Sequence, residues 1–157
     1  MASTITPTTL TVTIGEQITL NKTPYGAKTQ FTVNNISEIS RRIVTTNGTG
    51  STVICRFQPS ASAGQFINTD IRYVRITNLD NSNYATLRFT GSVATDYAFR
   101  LDPTGSHIMT LTQPSSSANA GVTSYADIIG VTLTDLRTIT AVANSASVDL
   151  ELFVASI

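Results

Sequence analysis

A chain of 157 residues has the length of one ordinary domain, which buries about 70 % of its unfolded surface and needs neither a metal nor a disulfide framework to hold a core. Ten basic residues balance ten acidic ones, and charged residues make up only 13 % of the chain, against about 25 % in typical domains. That balance excludes a general polyanion or nucleic-acid binder, which needs a basic surface to release counterions, and a lightly charged neutral surface favours association.

Thr occurs 27 times and Ser 16 times, more than a quarter of the chain, and Trp is absent. Thr suits pleated, half-exposed surfaces and Ser suits turns, so the composition predicts an all-β domain. Met1-Ala2-Ser3-Thr4-Ile5-Thr6-Pro7 has neither a basic leader nor an apolar run, and no window approaches the 18 or so apolar residues of a membrane span. The chain is therefore expected to be made and kept soluble in a cytoplasm, unless it leaves by another route, and to have no membrane partner. The Asn-X-Thr/Ser sequons at Asn21, Asn35 and Asn47 are read as chemically silent in so Thr-rich a chain.

In chain order, residues 1–9 read as a polar extended arm, free or docked on a neighbour, and residues 10–157 as one domain. Leu10, Val12 and Ile14 alternate with Thr in a first strand, Gly15-Glu16 turns the chain, and Gln17 to Leu20 continues it. Pro24-Tyr25-Gly26 marks a turn before the strand Gln30-Phe31-Thr32-Val33. Asn35 to Arg42 fits either a short helix or an irregular strand crossing. Asn47-Gly48 between Ile43–Thr46 and Thr52–Phe57 predicts a hairpin, and Gln58 to Gly64 a loop.

The central phrase, Ile71 to Leu79 and Tyr84 to Thr90 around Asp80-Asn81-Ser82-Asn83, predicts another hairpin. Its register sets Val74 against Phe89 and Ile76 against Leu87 on one face, with Arg75 directly opposite Arg88 on the other. Two facing guanidiniums are unfavourable unless an anion, a carboxylate or a partner chain lies between them. A third hairpin follows from Tyr97–Leu101, the turn Asp102-Pro103-Thr104-Gly105, and His107–Thr112. Pro114 to Thr123 reads as a loop, then Ile128–Leu133 and Leu136–Val142 as strands. The last strand, Val148 to Ala155, turns Val148, Leu150, Leu152 and Val154 inward and Asp149, Glu151 and Phe153 outward. About ten short strands with turn signals between them indicate a single-domain antiparallel β-sandwich of jelly-roll type.

Catalytic patterns do not assemble, and neither an enzyme nor a cofactor is expected. His107 is the sole imidazole and has no nucleophile elbow near it. Asp149 and Glu151 stand about 7 Å apart by strand geometry, within glycosidase range, but an acidic pair on an outward strand face more often meets arginine. Asp80, Asn81 and Asn83 match no calcium loop and are explained by a turn. Gly48-Thr49-Gly50 lacks the lysine of a phosphate cradle. Cys55 shares a strand face with Val53 and Phe57 and is expected to be a buried structural thiol. What remains is a set of contact candidates: Arg41, Arg42, Tyr73, Arg75 and Arg88, with Asp149 and Glu151 as ion-pair partners, and Thr4, Ile5, Thr6 and Pro7 on the arm.

The phrases Leu10-Thr-Val-Thr-Ile-Gly-Glu-Gln-Ile-Thr-Leu20, Glu38-Ile-Ser-Arg-Arg-Ile-Val44, Tyr73-Val-Arg-Ile-Thr-Asn-Leu-Asp80 and Leu101-Asp-Pro-Thr-Gly105 together resemble small virion structural proteins of tailed bacteriophages, especially those of marine and cyanobacterial hosts. The resemblance implies a β-sandwich, oligomeric, non-enzymatic particle protein. A capsid decoration (cement) protein is the first expectation: a trimer in the virion that bridges major capsid subunits, with its arm reaching a neighbour. The alternatives are a tail or neck structural protein and a carbohydrate-binding module.

Overall fold

The computed structural model describes residues 5–91, 96–110 and 136–157. The described chain is all-β: β1 (Thr8–Gly15), β2 (Ile18–Leu20), β3 (Thr23–Tyr25), β4 (Lys28–Ile36), β5 (Glu38–Thr46), β6 (Thr52–Gln58), β7 (Phe66–Ile67), β8 (Ile71–Asn78), β9 (Ala85–Gly91), β10 (Asp96–Leu101), β11 (Ser106–Thr110), β12 (Leu136–Ala143) and β13 (Val148–Ser156). The predicted loop Pro114 to Thr123 and strand Ile128–Leu133 lie outside the described residues.

Two sheets form the sandwich, one of order β11-β8-β13-β5 and one of order β10-β9-β12-β6-β7. The antiparallel pairs nest: β9 with β10, β8 with β11, β6 with β12, and β5 with β13. Pairing of β13 with β8 and of β12 with β9 closes each sheet across the nest. This is one long antiparallel ribbon wound round a core, which is the jelly-roll arrangement. A short parallel pairing of β7 with β6 is its one departure from the antiparallel pattern among the described residues.

That winding corrects the three predicted hairpins. β5 and β6, β8 and β9, and β10 and β11 are consecutive in sequence but lie in opposite sheets. Their turns are arches across the core. Arg75 therefore does not face Arg88; Arg75 lies beside Ile108 and Phe153, and Arg88 beside Ala98 and Thr140. The apolar faces were read correctly, because Val74, Ile76, Leu87 and Phe89 all point inward. In an arch these residues meet across the sandwich instead of side by side.

The core unites Ile54, Phe57, Ile76, Phe89, Leu136, Ile139, Leu150 and Leu152, each fully buried; every such side chain contributes about 1.5–3 kcal/mol by leaving water. Ile139 pairs with Cys55 and Thr140 with Val53, so Ile54 bulges out of register. The bulge explains why Ile54 and Cys55 are both buried while Val53 is exposed, against the predicted common face of Val53, Cys55 and Phe57.

Before the jelly roll, β1 and β4 form a two-stranded ribbon, with Val12 opposite Phe31 and Leu10 opposite Val33. These four residues pack on Ile36, Tyr73, Ile108, Phe153 and Ala155, on the outer face of the four-stranded sheet. Thr8 and Thr9 already belong to β1, which leaves Ile5 to Pro7 as the described part of the arm, exposed throughout. β2 and β3 form a small hairpin at the ribbon's far end, so Pro24-Tyr25 is strand where a turn was expected. Its turn residues Asn21 and Lys22 both have left-handed φ, 50° and 65°. Between β4 and β5 the irregular crossing is realised, with Asn35 at φ 60° and Ser37 donating its N–H to the Ser156 carbonyl at 2.9 Å.

Candidate functional site

The outer face of the four-stranded sheet carries the main charged constellation among the described residues. Alternation on β13 sends Glu151 and Phe153 outward, and the register sets Phe153 between Arg41 of β5 and Arg75 of β8. Both guanidiniums reach one diagonal step along the sheet to Glu151. Arg41 donates from Nε to Oε2 at 2.7 Å and also from Nη2, while Arg75 Nη2 donates to Oε1. The Arg75 guanidinium also sits 5.7 Å from the Phe153 ring centroid, and Tyr73 meets that ring edge-on at 5.9 Å. The Glu151 side chain is only 7 % exposed, against 35 % for Arg75 and 69 % for Arg41. A carboxylate desolvated to that degree must be paired, and two cations on one anion leave the group with a net positive charge.

The carboxylate partner expected for Arg75 is thus found within the subunit, and Arg41 shares it. Arg88 lies on the exposed face of the other sheet. Arg42 turns inward from the edge strand β5 and donates from Nη2 to the Ile54 carbonyl of the opposite sheet at 2.7 Å. An inward-pointing charge of this kind discourages further strand pairing at a sheet edge. Tyr73 is only 4 % exposed beneath the ribbon, so it is a packing residue and not an open contact. Asp149 is exposed and accepts from Thr45 Oγ1 at 2.6 Å. Ile5, Thr6 and Pro7 are exposed, and Thr4 lies outside the described residues.

Other candidate groups are structural where the structure describes them. Burial pushes the Cys55 thiol up to about 12. Asp80 is held below the usual carboxylate range by the backbone N–H groups of Asn83 and Ser82, which it receives at 2.5 and 2.7 Å, so it caps its turn. Asn78, buried, closes the same arch: its Nδ2 donates to the carbonyls of Asn83 at 2.9 Å and Leu101 at 3.2 Å, and its Oδ1 accepts from the Asp80 N–H at 2.9 Å. The His107 ring lies against Phe99 and Phe89, at 4.4 and 5.4 Å between centroids, and burial lowers its pKa. Among the described residues no group of three His, Cys, Asp or Glu comes together as a metal site.

Sequence reasoning missed the exposed apolar residues. Ile39 and Ile43 flank Arg41 on the outer face of β5, 56 % and 61 % exposed, and Ile14, Ile18, Leu20 and Tyr25 stand exposed at the ribbon's far end. The signal for the first pair was present, because positions 39, 41 and 43 share one strand face.

Fold and surface define a jelly-roll β-sandwich bearing a protruding strand ribbon. No protein-family model, curated protein or solved structure matches the chain.

Proposed function

We propose that the protein is a non-enzymatic structural component of a tailed-bacteriophage virion, a capsid decoration protein whose copies associate with one another and bridge major capsid subunits. The observation that carries this reading is the grouping of exposed large hydrophobics at the ribbon tip and on β5, on a chain of zero net charge. Contiguous exposed apolar surface on a soluble protein marks contact with other protein. The Arg41–Glu151–Arg75 group supports the same role, since it rigidifies the sheet that such a contact would load and engages the carboxylate that a hydrolase would need free.

The test is sedimentation of the purified chain with capsid shells that lack it, before and after shell expansion. Expected are co-sedimentation with expanded shells and a higher temperature of shell disruption. Rings or tubes formed by the chain alone, seen by negative-stain microscopy without shell binding, would instead indicate a tail or neck protein.

A further inference from the structure

Two edge strands of this fold are built differently. On β5, Arg42 points inward and discourages further pairing. Among the described residues β1 pairs only with β4, so its other edge carries unpaired N–H and C=O groups. From Leu10 to Ile14 that strand has no charged side chain, no proline and no break in register; its one irregularity lies between Thr8 and Leu10. Such an edge is a template for one more strand.

A cleft of about 210 Å³ runs along this edge. Its walls are the four consecutive residues Leu10 to Thr13, with Tyr73, Arg75 and Phe153 of the sheet below, and no residue of β4. Successive side chains of a strand point to opposite faces, so four consecutive residues share one cleft only where it meets the strand's edge. The cleft is smaller than the roughly 300–1,000 Å³ of pockets for drug-sized ligands. It suits a single side chain hanging from a strand laid beside β1.

The chemistry of that side chain follows from Arg75. Its Nη2 donates to Glu151, but Arg41 shares the same carboxylate, and the Arg75 Nε is buried with no hydrogen-bond partner among the described residues. Buried donors are nearly always bonded, so an orphan N–H on a guanidinium that lines a cleft marks a missing acceptor. Neither strand of the ribbon supplies one: residues 8–15 and 28–36 contain no Asp or Glu, and Glu16 lies beyond the cleft's walls. The Arg75 side chain is 35 % exposed and so within reach of a ligand. Two cations on one anion make the fitting ligand a carboxylate.

We propose that β1 accepts an extended segment of a partner protein as a further strand, with an Asp or Glu side chain of that segment entering the cleft to pair with Arg75. Main-chain bonds to β1 supply the affinity and the acid selects the partner, the division of labour found where peptides add to sheet edges. The inference goes beyond the capsid reading and does not rest on it, because the edge and the cleft take such a segment whatever protein carries it.

The probe is the capped peptide Ac-Thr-Val-Thr-Glu-Thr-Val-Thr-NH2, titrated into the full-length ¹⁵N-labelled chain. Alternation puts its Glu between the two Val on one face. Expected are saturable shifts at the amides of Leu10 to Thr13 and at the Arg75 Nε–H, slower exchange at every second amide of β1, and binding about tenfold weaker for the Gln analogue. Two further analogues carry N-methyl groups on alternate residues; the one whose methyls face β1 should lose binding and the other should keep it. All four peptides meet the same wild-type protein, so no folding defect can imitate a result. No shifts at about 1 mM peptide, shifts centred elsewhere, equal binding of the Glu and Gln peptides, or equal binding of the two N-methyl analogues would overturn the proposal. So would protection of the β1 edge that grows with the concentration of the chain alone, which would assign that edge to a second copy.

Discussion

Arg75 and Arg88 lie in opposite sheets of the sandwich, Arg75 beside Phe153 and Arg88 beside Thr140. Of the two, only Arg75 reaches Glu151.

Glu151→Gln leaves two guanidiniums without their shared carboxylate. Breaking a buried pair costs about 3–5 kcal/mol, and the partial exposure of both arginines reduces this to about 1–3 kcal/mol. Urea unfolding should show that loss. A change below about 0.5 kcal/mol would contradict the assignment of Glu151 as the shared partner of Arg41 and Arg75.

Asn78→Ala removes a side chain that satisfies two carbonyls and one N–H in the arch between β8 and β9. Leaving such groups unpaired and buried costs about 1–3 kcal/mol each, partly recovered by entering water. A loss of about 2–4 kcal/mol is expected, with faster amide exchange at Asp80, whose N–H loses its acceptor.

Cys55 should be silent to a disulfide reagent in the native protein at pH 8 and react fully once unfolded. Its thiol ionises near 9 when free and at about 12 in the fold. Protons therefore leave the unfolded chain first, and the stability held below pH 9 is lost progressively as pH rises towards 12. Rapid reaction of the folded protein would count against its burial.

His107 acts in the opposite direction. Burial against Phe89 and Phe99 lowers its pKa from the ordinary 6.5, so the unfolded chain takes up the proton first as pH falls. Its contribution to stability is complete above pH 6.5 and declines below it. Chemical unfolding at pH 8 and pH 5 should show the wild type losing more stability than His107→Phe, which cannot be protonated; parallel losses would place the imidazole in water.

The alternation of apolar residues along the chain determined which side of each strand meets the core: Val148, Leu150, Leu152 and Val154 face inward as read, and Val74, Ile76, Leu87 and Phe89 do so whichever strands they pair with. It also placed the turns at Asp80–Asn83 and Asp102–Gly105, because Asp, Asn, Pro and Gly act on their own backbone. Glu151 was legible as a carboxylate partner for Arg75 because both lie at outward positions. Arg41 joined them only through the register of β5 with β13. Tertiary structure alone decided that these turns are arches. A hairpin and an arch share turn residues and period-two pattern; what separates them is whether the buried faces of successive strands lie side by side or opposite each other. That choice is made by pairing with β12 and β13, far along the chain, which inserts β13 between β5 and β8 and β12 between β6 and β9. No local stretch encodes that insertion, and it is what sends Arg75 to Glu151 and carries Arg88 to the other side of the molecule.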